Sequence, residues 1–194
     1  MKIFLVLTIL LLITSSIYAA DWDLDKGSKE VGGYFSFRYF SGDLYEDGGE
    51  GISSFTLSPN FQIFIQPRLS IGGFVYISNT KQGDETWNSL GIGPGLTYYF
   101  GNSESKYWPF IGTNFLITSE TWKDNGNGGF YDNDDVTSGS SFQFAGGMMY
   151  KLVDHLHIKG LLYYNFNSSD VDWDHAKQSG NVIGLQFGFS GFIY

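Results

Sequence analysis

Eight stretches of this chain alternate with a period of two over about 10–13 residues each, and neither face of that alternation carries appreciable charge. No window after Ala20 shows an apolar stripe at the 3.6-residue spacing of a helix. Strands of ordinary globular domains average roughly five or six residues. A tilted strand that crosses a bilayer needs about 9–11. The length and polarity of these runs therefore limit the chain to a few architectures before any single residue is considered.

The first run is read near Val31–Ser41, where Val31, Gly33, Phe35, Phe37 and Tyr39 alternate with Gly32, Tyr34, Ser36, Arg38 and Phe40. The others lie near Ser53–Phe64, Leu69–Asn79, Ser89–Phe100, Trp108–Glu120, Ser140–Tyr150, His155–Phe166 and Asn181–Tyr194. One face is large and apolar; the other is Gly, Ser, Thr, Asn, Gln and Tyr. A soluble sandwich would place Lys and Glu on its solvent face, and glycines such as Gly91, Gly93 and Gly95 are poor surface residues. They suit a crowded interior. The apolar face is thus expected to point into lipid and the small polar face inward. Open sheet edges are not tolerated in hydrocarbon, so the eighth strand must close on the first. The fold class expected is all-β: an eight-stranded antiparallel up-and-down transmembrane β-barrel.

The links between runs alternate in length. Gly42–Gly51, Thr80–Asn88, Thr121–Gly139 and Asn167–Gly180 are long, whereas Ile65–Arg68, Gly101–Tyr107 and Lys151–Asp154 are short. Long outer loops and short periplasmic turns are the outer-membrane asymmetry. The long links and their margins hold 14 of the 20 acids, from Asp43 to Asp174, while the short links carry Arg68, Lys106 and Lys151. Tyr39, Trp87, Tyr98, Trp108, Trp122, Tyr150 and Tyr164 fall near strand ends and are expected to form interfacial girdles.

Ahead of the strands, residues 1–20 have one Lys, an apolar run from Ile3 to Ile13 and a small-residue end at Ala19-Ala20. That order reads as a cleaved secretory signal peptide, and the run is too short to span. The domain division is 1–20 signal peptide and 21–194 barrel. With no Cys, neither a disulfide framework, a thiolate metal site nor a lipoprotein anchor is available. The formal net charge of −9 excludes nucleic acid as a natural partner.

"LSPNFQIFIQPRLSIGGFVY" (Leu57–Tyr76) resembles the second hairpin of the small eight-stranded outer-membrane β-barrel family, the porin-like group with X-, W- and A-type members. "GIGPGLTYYFG", "WPFIG" and "FAGGMMYKLVDHLHIKGLLYY" resemble its later hairpins, so the likeness covers essentially the whole mature chain. The family's assembly signal places aromatics at the last residue and at alternate positions before it. Tyr194 and Phe192 fit; Ser190 and Gly188 do not. A bulge near Ser190–Gly191 would reconcile the two parities. The resemblance implies the cell outer membrane of a Gram-negative type bacterium, with lipopolysaccharide and phospholipid as surroundings, the barrel-assembly machinery as a partner in biogenesis, and a monomer.

Candidate chemistry is sparse. His155 and His157 share a face beside a short turn with only Asp154 near them, and are read as polar residues of the periplasmic rim. His175 lies in the acidic stretch "DVDWDHAK" and is read as part of a solvated loop. Asp124 and Asp135 have the first and twelfth positions of a calcium-loop spacing, but Gly126 and Gly128 stand where side-chain oxygens are needed. No catalytic, cofactor-binding or metal-ligating residue is assigned, and no cofactor. Arg38 and Lys159 fall on the inward parity, where an unpaired charge is costly. Arg38 is expected to find Glu120, or an amide such as Gln186 or Asn114. The function expected is a non-enzymatic outer-membrane barrel with a structural or surface-interaction role through acidic extracellular loops. The alternative is a narrow channel for small or apolar solutes. A lipid-modifying enzyme would require a His, Ser and acid at the outer rim, where only His175 is a candidate.

Overall fold

The structure, a computed structural model, describes residues 24–40, 51–101, 104–124, 135–171 and 176–193. Eight strands follow one another: β1 (Lys29–Phe40), β2 (Ile52–Gln66), β3 (Leu69–Gln82), β4 (Glu85–Tyr99), β5 (Tyr107–Asp124), β6 (Asp135–Val153), β7 (Leu156–Val171) and β8 (Ala176–Ile193). Each pairs antiparallel with the next. β8 returns to β1 with Lys29 opposite Ile193 and Phe35 opposite Phe187, so the sheet is a closed barrel. Closure removes the free edge that a lone sheet would present.

The alternation explains the wall. Phe35, Phe55, Ile92, Ile111, Ile117, Leu162 and Phe187 stand exposed on the outside, while Tyr34, Ser54, Thr97, Asn114, Leu161 and Gln186 are buried inside. Pro59 and Pro94 lack an amide donor and sit where the β2–β3 and β4–β5 ladders skip two pairs without changing register. At the end holding the termini, Arg68 and His155 take positive φ (70° and 68°) in the β2–β3 and β6–β7 turns, next to shifts in the ladders. His is among the residues that tolerate this backbone region, so His155 serves its turn. Beside it, a hydrogen bond from Lys151 (2.8 Å) and then that residue's charge hold the exposed Asp154 carboxyl below its ordinary range.

Several expectations are corrected. The Thr80–Asn88 link is not a long loop: β3 and β4 stay paired to Gln82 opposite Glu85, leaving only Gly83 and Asp84 in the turn. Gly83 supplies its positive φ (56°). Likewise much of Thr121–Gly139 and Asn167–Gly180 is strand, with Trp122 opposite Asp135 and Val171 opposite Ala176. Polar residues pair through the backbone as readily as apolar ones, so the ladders outrun the hydrophobic pattern that marked the strands. No bulge occurs at Ser190–Gly191; β8 holds one register from Phe187 to Ile193, and Phe192 turns inward, fully buried. The signal segment, the span 41–50, the loop 125–134, residues 172–175 and Tyr194 lie outside the described residues, and with them most of the acidic links and His175.

Candidate functional site in the barrel interior

The half of the lumen nearest the termini is filled. Glu30, on the first turn of β1, and Lys159, on β7, form a fully buried ion pair. The Lys159 ammonium also donates to the Tyr99 hydroxyl (2.7 Å), which donates in turn to the second Glu30 oxygen (2.6 Å). Three aromatic faces surround the ammonium, with Tyr99, Phe110 and Tyr34 centroids at 5.1, 5.5 and 5.9 Å. Two buried charges that answer each other and share a third polar group avoid the cost of an isolated ion. Beneath this triad Phe64, Trp108, Met149 and Phe192 close the lumen. The segment ahead of β1 completes the seal: Leu24 is fully buried, and its carbonyl accepts from the Arg68 amide at 2.8 Å.

His157 belongs to this plug and not to a rim. It is fully buried, with its ring 5.0 Å from Trp108 and 4.8 Å from Phe192. The parity that turns Lys159 inward also turns His157 inward, and the barrel end above it is covered. The tryptophans are corrected for the same reason. Trp108 is buried inside. Trp87 and Trp122 face each other across the β4–β5 ladder on the inward parity of Ser89 and Glu120. Among the described residues Tyr39, Tyr98 and Tyr107 are the exposed tyrosines of the wall. Phe40, expected inward, is 36% exposed at the end of β1.

Large rings fit this narrow lumen because glycines lie opposite them. Tyr34 faces Gly188, Phe110 faces Gly147 and Tyr163 faces Gly184, each pair directly across a ladder. A Cβ on Gly184 would lie 2.4–2.8 Å from three atoms of the Tyr163 ring, and one on Gly188 would lie 2.2 Å from the Gly33 carbonyl oxygen. Overpacking of this kind costs about 1–3 kcal/mol. Both Gly184→Ala and Gly188→Ala are expected to lower the urea midpoint of the refolded barrel. Adding Tyr163→Ala should relieve the clash at Gly184, whereas Tyr34→Ala should not relieve the one at Gly188, because backbone is in the way there. Urea curves of the parent barrel, the two glycine variants, the two tyrosine variants and the two doubles check it.

Above the plug, towards the end holding the β3–β4 turn, the lumen opens into a cavity of about 270 Å³. Its wall is about half polar, with the hydroxyls and amides of residues such as Tyr76, Asn114, Gln143 and Asn165, and among the described residues Arg38 is its cation and Glu120 its carboxylate. Arg38 therefore takes the inward face, as expected. Two of the expected partners are engaged elsewhere: Glu120 accepts from Ser89 at 2.7 Å, and Asn114 donates to Gln143 at 2.7 Å. Among the described residues the buried Arg38 Nε has no hydrogen-bond partner. Among the described residues no three His, Asp or Glu side chains converge as metal ligands do. The side chains of Asp124 and Asp135 are outside what the structure describes.

Sequence reasoning placed Lys159 inward but missed Glu30, which lies one residue before the start assigned to the first strand. Its parity with Gly32 and Tyr34 was the available signal, since extending that alternation by one step turns it into the lumen.

No family model and no curated protein matches this chain. Among solved structures, the crystal structure of Neisserial surface protein A matches with a TM-score of 0.51 at 14% identity, over 84% of this chain and 94% of that one. The N-terminal β-barrel domain of Pseudomonas aeruginosa OprF matches at 0.49 and 10% identity, over 87% and 98%. Pseudomonas aeruginosa OprG matches at 0.49 and 13%, over 91% and 100%. The chain has the fold of a small eight-stranded outer-membrane barrel. At these identities the likeness is one of fold.

Proposed function

We propose that the protein is a non-enzymatic integral barrel of the outer membrane of a Gram-negative type bacterium, exported by its N-terminal signal. Its role is structural or one of surface interaction through its acidic loops. The observation that carries this reading is the continuous belt of exposed Phe, Leu and Ile around a closed barrel. An apolar surface of that extent, on every strand, is an interface with hydrocarbon. Lipopolysaccharide and phospholipid are its surroundings, the barrel-assembly machinery its partner in biogenesis, and the barrel acts as a monomer. The filled lumen supports a role outside the barrel over conduction through it, because Glu30, Lys159 and Tyr99 stand across the path with Trp108 and Phe192 below them.

Cell fractionation should recover the protein with outer membranes. The native barrel should migrate faster on gels than the boiled chain, and protease added to whole cells should cut at the spans 41–50 and 125–134. Recovery of the mature chain as a soluble protein without detergent would overturn the proposal. In planar bilayers the inserted barrel is expected to give no unitary current above the lipid baseline, whereas discrete steps would favour the narrow channel.

A further inference from the structure

The barrel wall is not equally closed all round. β1 pairs with β2 along its whole length, from Lys29 to Phe40, and β8 pairs with β7 from Ala176 to Gly191. Between β1 and β8 the ladder stops at Phe35 opposite Phe187. Continued in register, Phe37 would oppose Leu185 and Tyr39 would oppose Ile183, but these residues do not pair. The nearest neighbours of a Cβ on Gly188 include the β1 backbone at Gly33, whereas those of one on Gly184 all belong to Tyr163 of β7. Both banks of the seam are bare: Phe37 is 69% exposed and Tyr39 63%, and across from them Ile183 is 69% and Leu185 64%. Behind the seam lies the cavity, whose wall includes Arg38 from one bank and Gln186 from the other.

The geometry points to a side portal between Ser36–Tyr39 and Ile183–Gln186, through which the polar head of an anionic membrane lipid reaches Arg38 while its acyl chains stay in the bilayer. Backbone groups left without a ladder partner at membrane depth need a polar partner, which hydrocarbon cannot supply. A lipid head supplies one. About half of the cavity's exposed wall is polar, with Ser, Asn and Gln side chains around Arg38, so it can hold a head group, whereas the banks, with Phe37 and Leu185, suit the chains. Among the described residues Arg38 is the basic residue of the cavity wall and its buried Nε has no hydrogen bond, so an anionic oxygen is the acceptor it fits. Glu120, the carboxylate of the wall, is already engaged by Ser89.

This inference rests on the membrane placement proposed above, and the test separates the two. The chain has two arginines, Arg38 and Arg68, so a Arg68→Lys variant leaves the Arg38 Nε–H as the single arginine side-chain resonance to follow. The barrel is placed in phosphatidylcholine nanodiscs with and without phosphatidylglycerol. The anionic lipid is expected to shift that resonance and slow its exchange with water. Inorganic phosphate added to the phosphatidylcholine sample should leave it unmoved. The chain has no native cysteine, so paired substitutions report the seam alone. F37C/L185C should oxidise to a disulfide far more slowly than the registered pair F35C/F187C, and bridging it with a short bis-maleimide should abolish the lipid-dependent shift. Equal oxidation rates, an unmoved Arg38 resonance, a shift that phosphate reproduces, or one that survives bridging would each overturn the portal. Failure to enter the nanodisc at all would instead count against the membrane reading.

Discussion

Lys159→Met is expected to destabilise the barrel by about 3–5 kcal/mol, the cost of leaving a buried charge without its partner. The Glu30 carboxylate, fully buried, would keep only the Tyr99 hydroxyl as a donor. Glu30→Gln should cost a similar amount for the converse reason, because the ammonium would keep the aromatic faces and the hydroxyl but lose its counter-charge. The double variant E30Q/K159M should cost clearly less than the two single losses together, since neither charge then remains. Urea titration of barrels refolded in phosphatidylcholine vesicles, read by gel mobility without boiling, gives all four stabilities and the coupling between the sites. Single losses below about 1 kcal/mol would mean that water reaches the triad, because a hydrated pair is worth about that or less. The sealed plug, and with it the case against conduction, would then be wrong.

Ile92→Arg is the second large effect. Ile92 is exposed near the middle of β4, opposite the equally bare Ile117. On a water-facing surface the substitution would change stability by roughly 0.5 kcal/mol or less. In a bilayer an Arg near the midplane costs about 2–4 kcal/mol. The same urea experiment is expected to show the larger figure, because the guanidinium must drag water and head groups towards it. A loss within the smaller range would show that this face meets water, and the proposed location would fall with it.

The alternation that placed Phe35, Ile111, Leu162 and Phe187 outside and Tyr34, Asn114 and Lys159 inside was legible because a strand turns successive side chains to opposite faces. From faces of that character, closure of the eighth strand on the first followed, since an edge in hydrocarbon has no partner. The ends of strands were less legible. At Lys81, Thr86, Trp122 and Val171 the backbone goes on pairing after the apolar signal has ended, and hydrophobic pattern cannot report a backbone hydrogen bond. Trp108 was misplaced because position near a strand end outweighed its parity, which was available and correct.

What the amino-acid sequence by itself determined is the wall: strand number and the facing of most strand residues, consequences of a two-residue period that local stereochemistry enforces. Only the tertiary structure decided who meets whom across that lumen. Glu30 and Lys159 are separated by most of the chain, and Arg38 had amide and carboxylate candidates of equal merit on several strands. Their choice depends on the stagger between strands and on which rings fill the space first, and neither quantity is written in the period of any one strand.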